Sequence, residues 1–310
     1  MADKHTKNGD SGAAVAVDSP SNLRNVVLVG PSGSGKTTLT EALLAAAGAV
    51  SRAGTIADGN TVCDHDPAAI RQQRSVGLAL APLVRDGIKI NLIDTPGYAD
   101  FIGELRAGLR AADAALFVVS ASVGVDEATI SLWEECAAVG MPRAVVVARL
   151  DHPRADAQGE ITACQQAFGS GVLPLYLPAG DGRPSLVGLI TQRLFDYSAG
   201  FPPSISEPDA ADVERMAEAR NELIEGIIEQ SEDETLMDRY LGGEEIAEET
   251  LIDDLETAVA RGSFHPVIPV CANTGVGLAE LLEMMARAFP TPLEHALPEV
   301  TTPDGAPHAA

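Results

Sequence analysis

Short apolar runs recur along the chain, and most are followed by a polar turn and a helical pattern. Runs that are apolar on both faces are typical of parallel strands covered by helices on both sides. The alternation predicts an α/β fold with a mostly parallel central sheet. The clearest strand-like runs are at 25–30, 114–121, 143–150 and 265–272, and helices are predicted at 36–48, 100–111, 126–139 and 278–289.

Residues 78–94 contain two apolar runs separated by Asp86 and Gly87. An Asp-Gly pair between two apolar runs is typical of a tight antiparallel hairpin. The sequence therefore predicts one antiparallel strand at the edge of the otherwise parallel sheet.

The alternation ends after about residue 170, and three helices are predicted before it resumes. Apolar residues at helical spacing predict the first helix at 209–230. Ser231 and Glu234 form a capping-box pattern that predicts the start of the second helix. The third helix is predicted at about 246–260 and ends before a glycine.

These patterns predict one α/β domain that is interrupted by a helical insert. The domain is predicted to cover 24–171 and 263–292, and the insert to cover 172–262. The ends are richer in proline and polar residues, so we expect a flexible tail over 1–23 and a linker stub over 293–310.

The net charge is −24, and it is distributed unevenly. A surface this acidic repels nucleic-acid phosphates, so no DNA partner is expected. Between Glu207 and Glu256, 19 acidic side chains stand against three arginines. This acidic segment is either a solvated helical face or a docking surface for a basic partner.

The chain has no run of 18 uncharged apolar residues, and its first residues lack the apolar core of a signal peptide. Its four cysteines lie far apart, with no Cys-x-x-Cys pair. This usage is typical of reduced thiols. We therefore expect a cytoplasmic protein with no membrane association.

The stretch GPSGSGKT, from Gly30 to Thr37, fits the phosphate-binding loop pattern and lies between a predicted strand and a predicted helix. Backbone N–H groups of such a loop surround the β-phosphate at a helix N-terminus. Lys36 would reach the β- and γ-phosphates, and the Thr37 hydroxyl would hold Mg²⁺. The residues expected to bind the phosphates are Gly30, Pro31, Ser32, Gly33, Ser34, Gly35, Lys36, Thr37 and Thr38.

The stretch Asp94-Thr95-Pro96-Gly97 follows the second strand of the predicted hairpin. An acid at this position can hold Mg²⁺ through water, and a glycine N–H can contact a γ-phosphate. Together with the phosphate loop, Asp94 and Gly97 predict a nucleotide site.

Two later strand ends carry candidates for binding the base. The Asp151 carboxylate could accept hydrogen bonds from the N1–H and N2 amino groups of guanine, which adenine does not offer. Arg149 could lay its side chain over the base. After the last strand, the stretch that contains Cys271, Ala272 and Asn273 could supply a backbone N–H to guanine O6.

These motifs occur in the order and spacing of the translational GTPases, and residues 90–129 resemble elongation factor G. The resemblance implies a Ras-like GTP-binding domain, with the acidic insert similar to that family's extra subdomain. It further implies GTP or GDP and Mg²⁺ as ligands and the ribosome as partner. Within the ribosome, it implies the factor-binding site, with the large-subunit stalk protein a candidate partner for the insert.

Four departures from the family pattern fall at functional positions. Tyr98 stands where the family usually has a histidine that positions the attacking water. Gly77 stands where a threonine contacts Mg²⁺ and the γ-phosphate. Ala148 and Arg149 replace the first two residues of Asn-Lys-x-Asp, and Gly33 replaces a frequent aspartate. Because a phenol does not exchange protons near pH 7 as imidazole does, we expect weak hydrolysis.

Three alternatives stay open at this point. A regulatory module could sense guanine nucleotides without hydrolysing them. An ATP-binding protein would carry the same phosphate loop, although Asp151 favours guanine. The stretch from Cys63 to Asp66 could supply metal ligands, although no partner motif completes a four-ligand site.

Overall fold

The protein is described by a computed structural model that covers residues 17–180, 182–294, 300–302, 304 and 306–308. Outside them lie residues 1–16 of the predicted tail over 1–23, and residues 295–299, 303, 305, 309 and 310 of the predicted stub over 293–310. The helices are α1 Lys36–Ala46, α2 Pro67–Gln72, α3 Ile102–Ala111, α4 Glu127–Ala138, α5 Ala157–Phe168, α6 Ala210–Ile228, α7 Leu236–Leu241, α8 Glu248–Ala260 and α9 Leu278–Arg287.

Seven strands form the central sheet, in the spatial order β2-β3-β1-β4-β5-β11-β6. All neighbouring pairs are parallel except β2 and β3. Every residue of β4 and β5 is buried, which explains why their sequences are apolar without alternation. The strands are β1 Leu23–Val29, β2 Ala79–Arg85, β3 Ile88–Asp94, β4 Ala114–Ser120, β5 Arg143–Ala148, β6 Val172–Pro174 and β11 His265–Pro269.

The antiparallel edge strand is confirmed. Strands β2 and β3 pair antiparallel, with Arg85 opposite Ile88. Asp86 and Gly87 connect them with φ of 49° and 80°, which is the left-handed backbone that a two-residue hairpin turn requires. The predicted α/β class with a mostly parallel sheet is confirmed as well.

The predicted insert contains more than helices. Strand β6 joins the central sheet beside β11, and a separate antiparallel sheet has the order β10-β9-β8-β7. These strands have three or four residues each, too few for a readable alternation of apolar and polar positions. The four are β7 Tyr176–Pro178, β8 Ser185–Gly188, β9 Leu194–Asp196 and β10 Ser204–Ser206.

The predicted capping box is wrong. Helix α7 begins after Thr235, which makes no side-chain capping hydrogen bond. Ser231 instead accepts a hydrogen bond from the Asp233 N–H within the preceding turn. Serine and aspartate favour such local bonds, and these compete with helix initiation.

The apolar stripe of α6 packs into the main core. Met216, Leu223 and Ile227 are almost fully buried, whereas Val213 near the start of the helix is 42% exposed. Each fully buried side chain of this kind stabilises the fold by about 1.5–3 kcal/mol. Within the described part of the chain, no helix is both long and apolar enough to cross a bilayer.

Candidate nucleotide site

A cleft of about 760 Å³ opens at the carboxyl ends of the central strands. Loops that follow β1, β3, β5 and β11 form most of its wall. Ligands of open α/β sheets bind at this edge, and the volume is in the range typical of small-molecule sites. The expected site residues that line the cleft are Ser32, Gly33, Gly35, Lys36, Thr37, Thr38, Gly97, Arg149, Asp151, Ala272 and Asn273, with Tyr98 beside them.

The Lys36 ammonium lies inside the phosphate loop. Its side chain is buried, and Nζ donates hydrogen bonds to the carbonyl oxygens of Gly30 at 2.7 Å and Pro31 at 3.1 Å. Burial lowers the pKa of Lys36 to about 8, and the nearby Asp94 charge opposes this shift. The loop therefore holds the ammonium group of Lys36 next to the place where the sequence predicts the phosphates.

Gly97 lies directly against the phosphate loop. A Cβ added at this position would come within 2.5 Å of the Ser32 backbone nitrogen and 2.6 Å of Lys36 Nζ. Contacts this short with backbone and a buried side chain leave no room for any residue larger than glycine. The backbone after β3 is thus packed against the loop, at the position where the sequence predicts a contact with the γ-phosphate.

Thr37 and Asp94 form a buried pair beneath the loop. The Thr37 hydroxyl donates to Asp94 Oδ2 at 2.6 Å. Burial raises the pKa of Asp94 to about 6, while the Thr37 bond and the Lys36 charge oppose this shift. Asp94 Oδ1 is buried and has no hydrogen-bond partner among the described residues.

These oxygens fit the Mg²⁺ that the family implies. A hard cation prefers carboxylate and hydroxyl oxygens, and it would offer the unpaired Asp94 Oδ1 a direct or water-mediated partner. Thr37 and Asp94 are therefore the residues that would hold it.

The base end of the cleft is built from exposed side chains. Asn273 Nδ2 donates to Asp151 Oδ2 at 2.6 Å and so joins the loops after β5 and β11. Arg149 has a left-handed backbone with φ of 63°, and its guanidinium donates to the Gly33 carbonyl at 2.9 Å. Its aliphatic stem lies beside Gly35. The sequence predicted the individual residues but not the bond between Asn273 and Asp151.

Some expected site residues support the cleft without lining it. Cys271 is buried, and its N–H donates to the Val276 carbonyl at 2.9 Å. The predicted backbone contact to guanine O6 therefore rests on Ala272 and Asn273. The supporting residues are Gly30, Pro31, Ser34, Asp94 and Cys271.

Three residues that the sequence analysis did not single out also shape the site. Ser75 places its hydroxyl 3.2 Å from Thr37 Oγ1. The Arg74 guanidinium lies 4.8 Å from the centre of the Tyr98 ring. Glu41 is buried in α1, and its carboxylate accepts hydrogen bonds from backbone N–H groups of the segment at 51–66. In the sequence, the sign of a special role for Glu41 was a charged residue within the apolar pattern of α1.

The stretch from Cys63 to Asp66 does not form a metal site. Cys63 is buried, His65 is exposed, and Asp66 accepts a hydrogen bond from the Ala68 N–H at the start of α2. Among the described residues, no group of three or more histidine, cysteine or acidic side chains could hold a metal ion.

Comparisons with known proteins agree with this geometry. Residues 21–291 match the family model described as the elongation factor Tu GTP binding domain. Over 309 residues the chain is 63% identical to an elongation factor G-like protein of Mycobacterium tuberculosis, in both strain CDC 1551 / Oshkosh and strain H37Rv. A crystal structure of a Thermus thermophilus protein superposes with a TM-score of 0.81 at 38% identity, covering 88% of this chain and 41% of that protein.

The alignment to the mycobacterial relatives covers 100% of this chain but 43% of each relative. The chain therefore spans less than half the length of the curated relatives that it matches. It belongs to the family of the elongation factor Tu GTP-binding domain, as a domain of translational-GTPase type.

Proposed function

We propose that this chain binds GTP and GDP with Mg²⁺ as the nucleotide-binding domain of an elongation factor G-like translation factor, and that it hydrolyses GTP slowly. One observation carries the proposal: Lys36 and Thr37 of the phosphate loop share a single cleft with Asp151 and Asn273. The cleft that these residues line would be filled by a nucleotide with its phosphates near Lys36 and its base near Asp151.

At the phosphate end, Lys36 would donate to the β- and γ-phosphates, and the loop N–H groups would surround them. Mg²⁺ supplies neutralisation of phosphate charge when it is bound. Thr37 and Asp94 would hold it, since they already contact each other below the loop.

At the base end, Asp151 would accept from the N1–H and N2 amino groups of guanine. The bond from Asn273 leaves Asp151 Oδ1 and further acceptor positions of the carboxylate open toward a ligand. This arrangement favours guanine over adenine, whose corresponding edge presents an acceptor at N1.

Slow hydrolysis is proposed because Tyr98 offers a phenol where the family usually has a histidine. The side chain is 41% exposed, and hydrogen bonds with Ser32 and Arg74 lower the pKa of its phenol. This shift brings the phenol pKa closer to neutral, but imidazole, with an ordinary pKa of about 6.5, is still the better proton carrier near pH 7.

Nucleotide competition tests the binding proposal. A fluorescent GDP analogue would be bound in the presence of Mg²⁺ and displaced by unlabelled GTP, GDP or ATP. We expect GTP and GDP to compete at micromolar concentrations and ATP to be at least about 100-fold weaker. Equal competition by ATP would mean that Asp151 does not select the base.

Restoring the histidine tests the hydrolysis proposal. In the full-length protein, we expect Tyr98→His to raise ribosome-stimulated phosphate release by at least about tenfold, because imidazole restores proton exchange near pH 7. Val139→His, at the exposed end of α4 and outside both the cleft and the insert, should leave the rate unchanged. Wild-type turnover equal to that of an ordinary elongation factor G would overturn the proposal of slow hydrolysis. Binding without any turnover would identify a nucleotide sensor instead.

We propose the ribosome as partner because the relatives in the comparison are described as elongation factor G-like. The acidic segment at 207–256 supports docking of a basic surface, since 16 of its 19 carboxylates are exposed, on α6, α7, α8 and the turns beside these helices. The stalk protein of the large subunit is the proposed partner for this segment, and a cytoplasmic location follows from a ribosomal role. Co-sedimentation of the chain with ribosomes, with and without GTP, would test the partnership.

A further inference from the structure

The segment that joins α2 to β2 directs Ser75, and not Gly77, toward the site predicted for Mg²⁺. Ser75 lines the nucleotide cleft, and its hydroxyl lies 3.2 Å from Thr37 Oγ1. Thr37 in turn donates to Asp94 at 2.6 Å. Three side-chain oxygens from three separate parts of the chain therefore meet at one point.

Gly77 is directed elsewhere. The next residue, Leu78, donates its N–H to Glu104 Oε2 on α3 at 3.0 Å. A Cβ added at Gly77 would lie 4.0 Å from the same oxygen, and nothing else comes closer. The nearest neighbour of a Cβ at Gly77 is thus on α3, and Thr37 and Asp94 lie more than 4 Å from it.

Local geometry turns Ser75 inward. Gln73 ends α2 with a left-handed φ of 52°, and its N–H donates to the Ile70 carbonyl at 3.3 Å. After this reversal Arg74 contacts the ring of Tyr98, while Ser75 contacts Thr37. Two consecutive side chains therefore attach the segment to the phosphate end of the cleft.

We propose that Ser75 supplies an oxygen of the Mg²⁺ site from the segment that joins α2 to β2, in place of the threonine that is absent at Gly77. This inference rests on the proposed binding of a Mg²⁺-nucleotide. A serine hydroxyl is a neutral hard donor of the kind that Mg²⁺ accepts. Asp94 Oδ1 has no hydrogen-bond partner among the described residues. Together with the hydroxyls of Thr37 and Ser75, it forms a donor set that consists of oxygen atoms.

The proposal predicts that Ser75 links the segment between α2 and β2 to bound Mg²⁺. Its effect on nucleotide retention should therefore require Mg²⁺. Removing the Ser75 hydroxyl should weaken Mg²⁺ binding, so that nucleotide retention needs a higher Mg²⁺ concentration. Affinity in the absence of Mg²⁺ should stay the same, since Lys36 and the loop N–H groups act without the metal.

The test follows dissociation of a fluorescent GDP analogue from the full chain as a function of free Mg²⁺ concentration. For Ser75→Ala we expect the Mg²⁺ concentration at half-maximal retention to rise about five- to tenfold, the effect of one lost oxygen contact. Ser75→Thr keeps the hydroxyl and should resemble the wild type. Gly77→Ala is the matched control in the same segment and should leave the midpoint unchanged.

The outcomes separate this inference from the proposed function. No binding of the analogue by the wild type would overturn both. Binding that Mg²⁺ strengthens equally in wild type and Ser75→Ala would overturn only the role of Ser75. A loss of affinity for Ser75→Ala that is equally large in EDTA would also overturn it, because Ser75 would then support the nucleotide or the fold.

Trypsin cleavage supplies a readout independent of nucleotide release. Arg71 and Arg74 are exposed cleavage sites on either side of the α2 end. We expect GDP with Mg²⁺ to slow cleavage at Arg74 in the wild type and in Ser75→Thr, but not in Ser75→Ala. Equal protection of Ser75→Ala would contradict the coupling.

Discussion

The two ends of the nucleotide cleft are built in opposite ways. At the phosphate end, Lys36, Thr37 and Asp94 are almost completely buried and bonded to one another or to the backbone. At the base end, Asp151 and Asn273 are exposed and joined by a single hydrogen bond. The phosphate end keeps the family's residues at these three buried positions and departs from the family at the less buried Gly33, Gly77 and Tyr98.

The base end has lost the usual asparagine and lysine to Ala148 and Arg149.

The difference in burial predicts that substitutions will have different costs at the two ends. Replacing one member of a buried polar set leaves its partners unpaired in a low-dielectric interior, which costs about 1–3 kcal/mol for each group. An exposed pair loses only the net value of its bond, because water replaces the missing partner. We therefore expect nucleotide affinity to depend mainly on the phosphate end and selectivity on the base end.

The largest effect is expected from Lys36→Ala. Hydrogen bonds to charged groups are each worth about 1.5–3 kcal/mol, so affinity for the GDP analogue should fall at least about 100-fold. Titration of the analogue measures this loss. Lys89→Ala, on β3 and outside the cleft lining, is the control and should stay within about twofold of the wild type. If Lys36→Ala kept its affinity, the phosphate end would not be the main source of nucleotide affinity.

Asp151→Asn should have the next largest effect. The amide replaces one acceptor by a donor that would face the donors of guanine, so GDP affinity should fall about 10- to 30-fold while affinity for ATP changes little. Competition binding measures both values. Asp253→Asn, on the exposed face of α8, removes one carboxylate far from the cleft and should change neither. An equal loss for ATP would show that Asp151 supports the fold and does not select the base.

Asn273→Ala should have the smallest effect. It removes one exposed hydrogen bond to Asp151, worth about 1 kcal/mol, so GDP affinity should fall about three- to fivefold. Thr274→Ala is the control, since it truncates the exposed neighbour in the same turn. A loss as large as that of Lys36→Ala would mean that the base end carries the affinity and would reverse the comparison.

Much of the fold could be predicted because its signals are local. The continuous apolar runs of β4 and β5, the turn at Asp86 and Gly87, and the phosphate loop are all read from consecutive residues. The antiparallel sheet of β7 to β10 could not be predicted, because strands of three or four residues carry too little pattern.

The same distinction divides the candidate site. The sequence by itself determined which residue types stand at the ends of β1, β3, β5 and β11, because motif spacing and strand order are properties of the chain. It also determined what is absent, notably a histidine at Tyr98 and a threonine at Gly77.

Only the tertiary structure decided which side chains meet. Asn273 and Asp151, which share a hydrogen bond, are 122 positions apart in the chain. Ser75 and Thr37, whose hydroxyls are in contact, are 38 positions apart. Neither contact follows from a local pattern, since each depends on how the sheet brings separate loops to one edge. The proposal that Ser75 replaces a lost ligand therefore rests on its position in space and not on its position in the sequence.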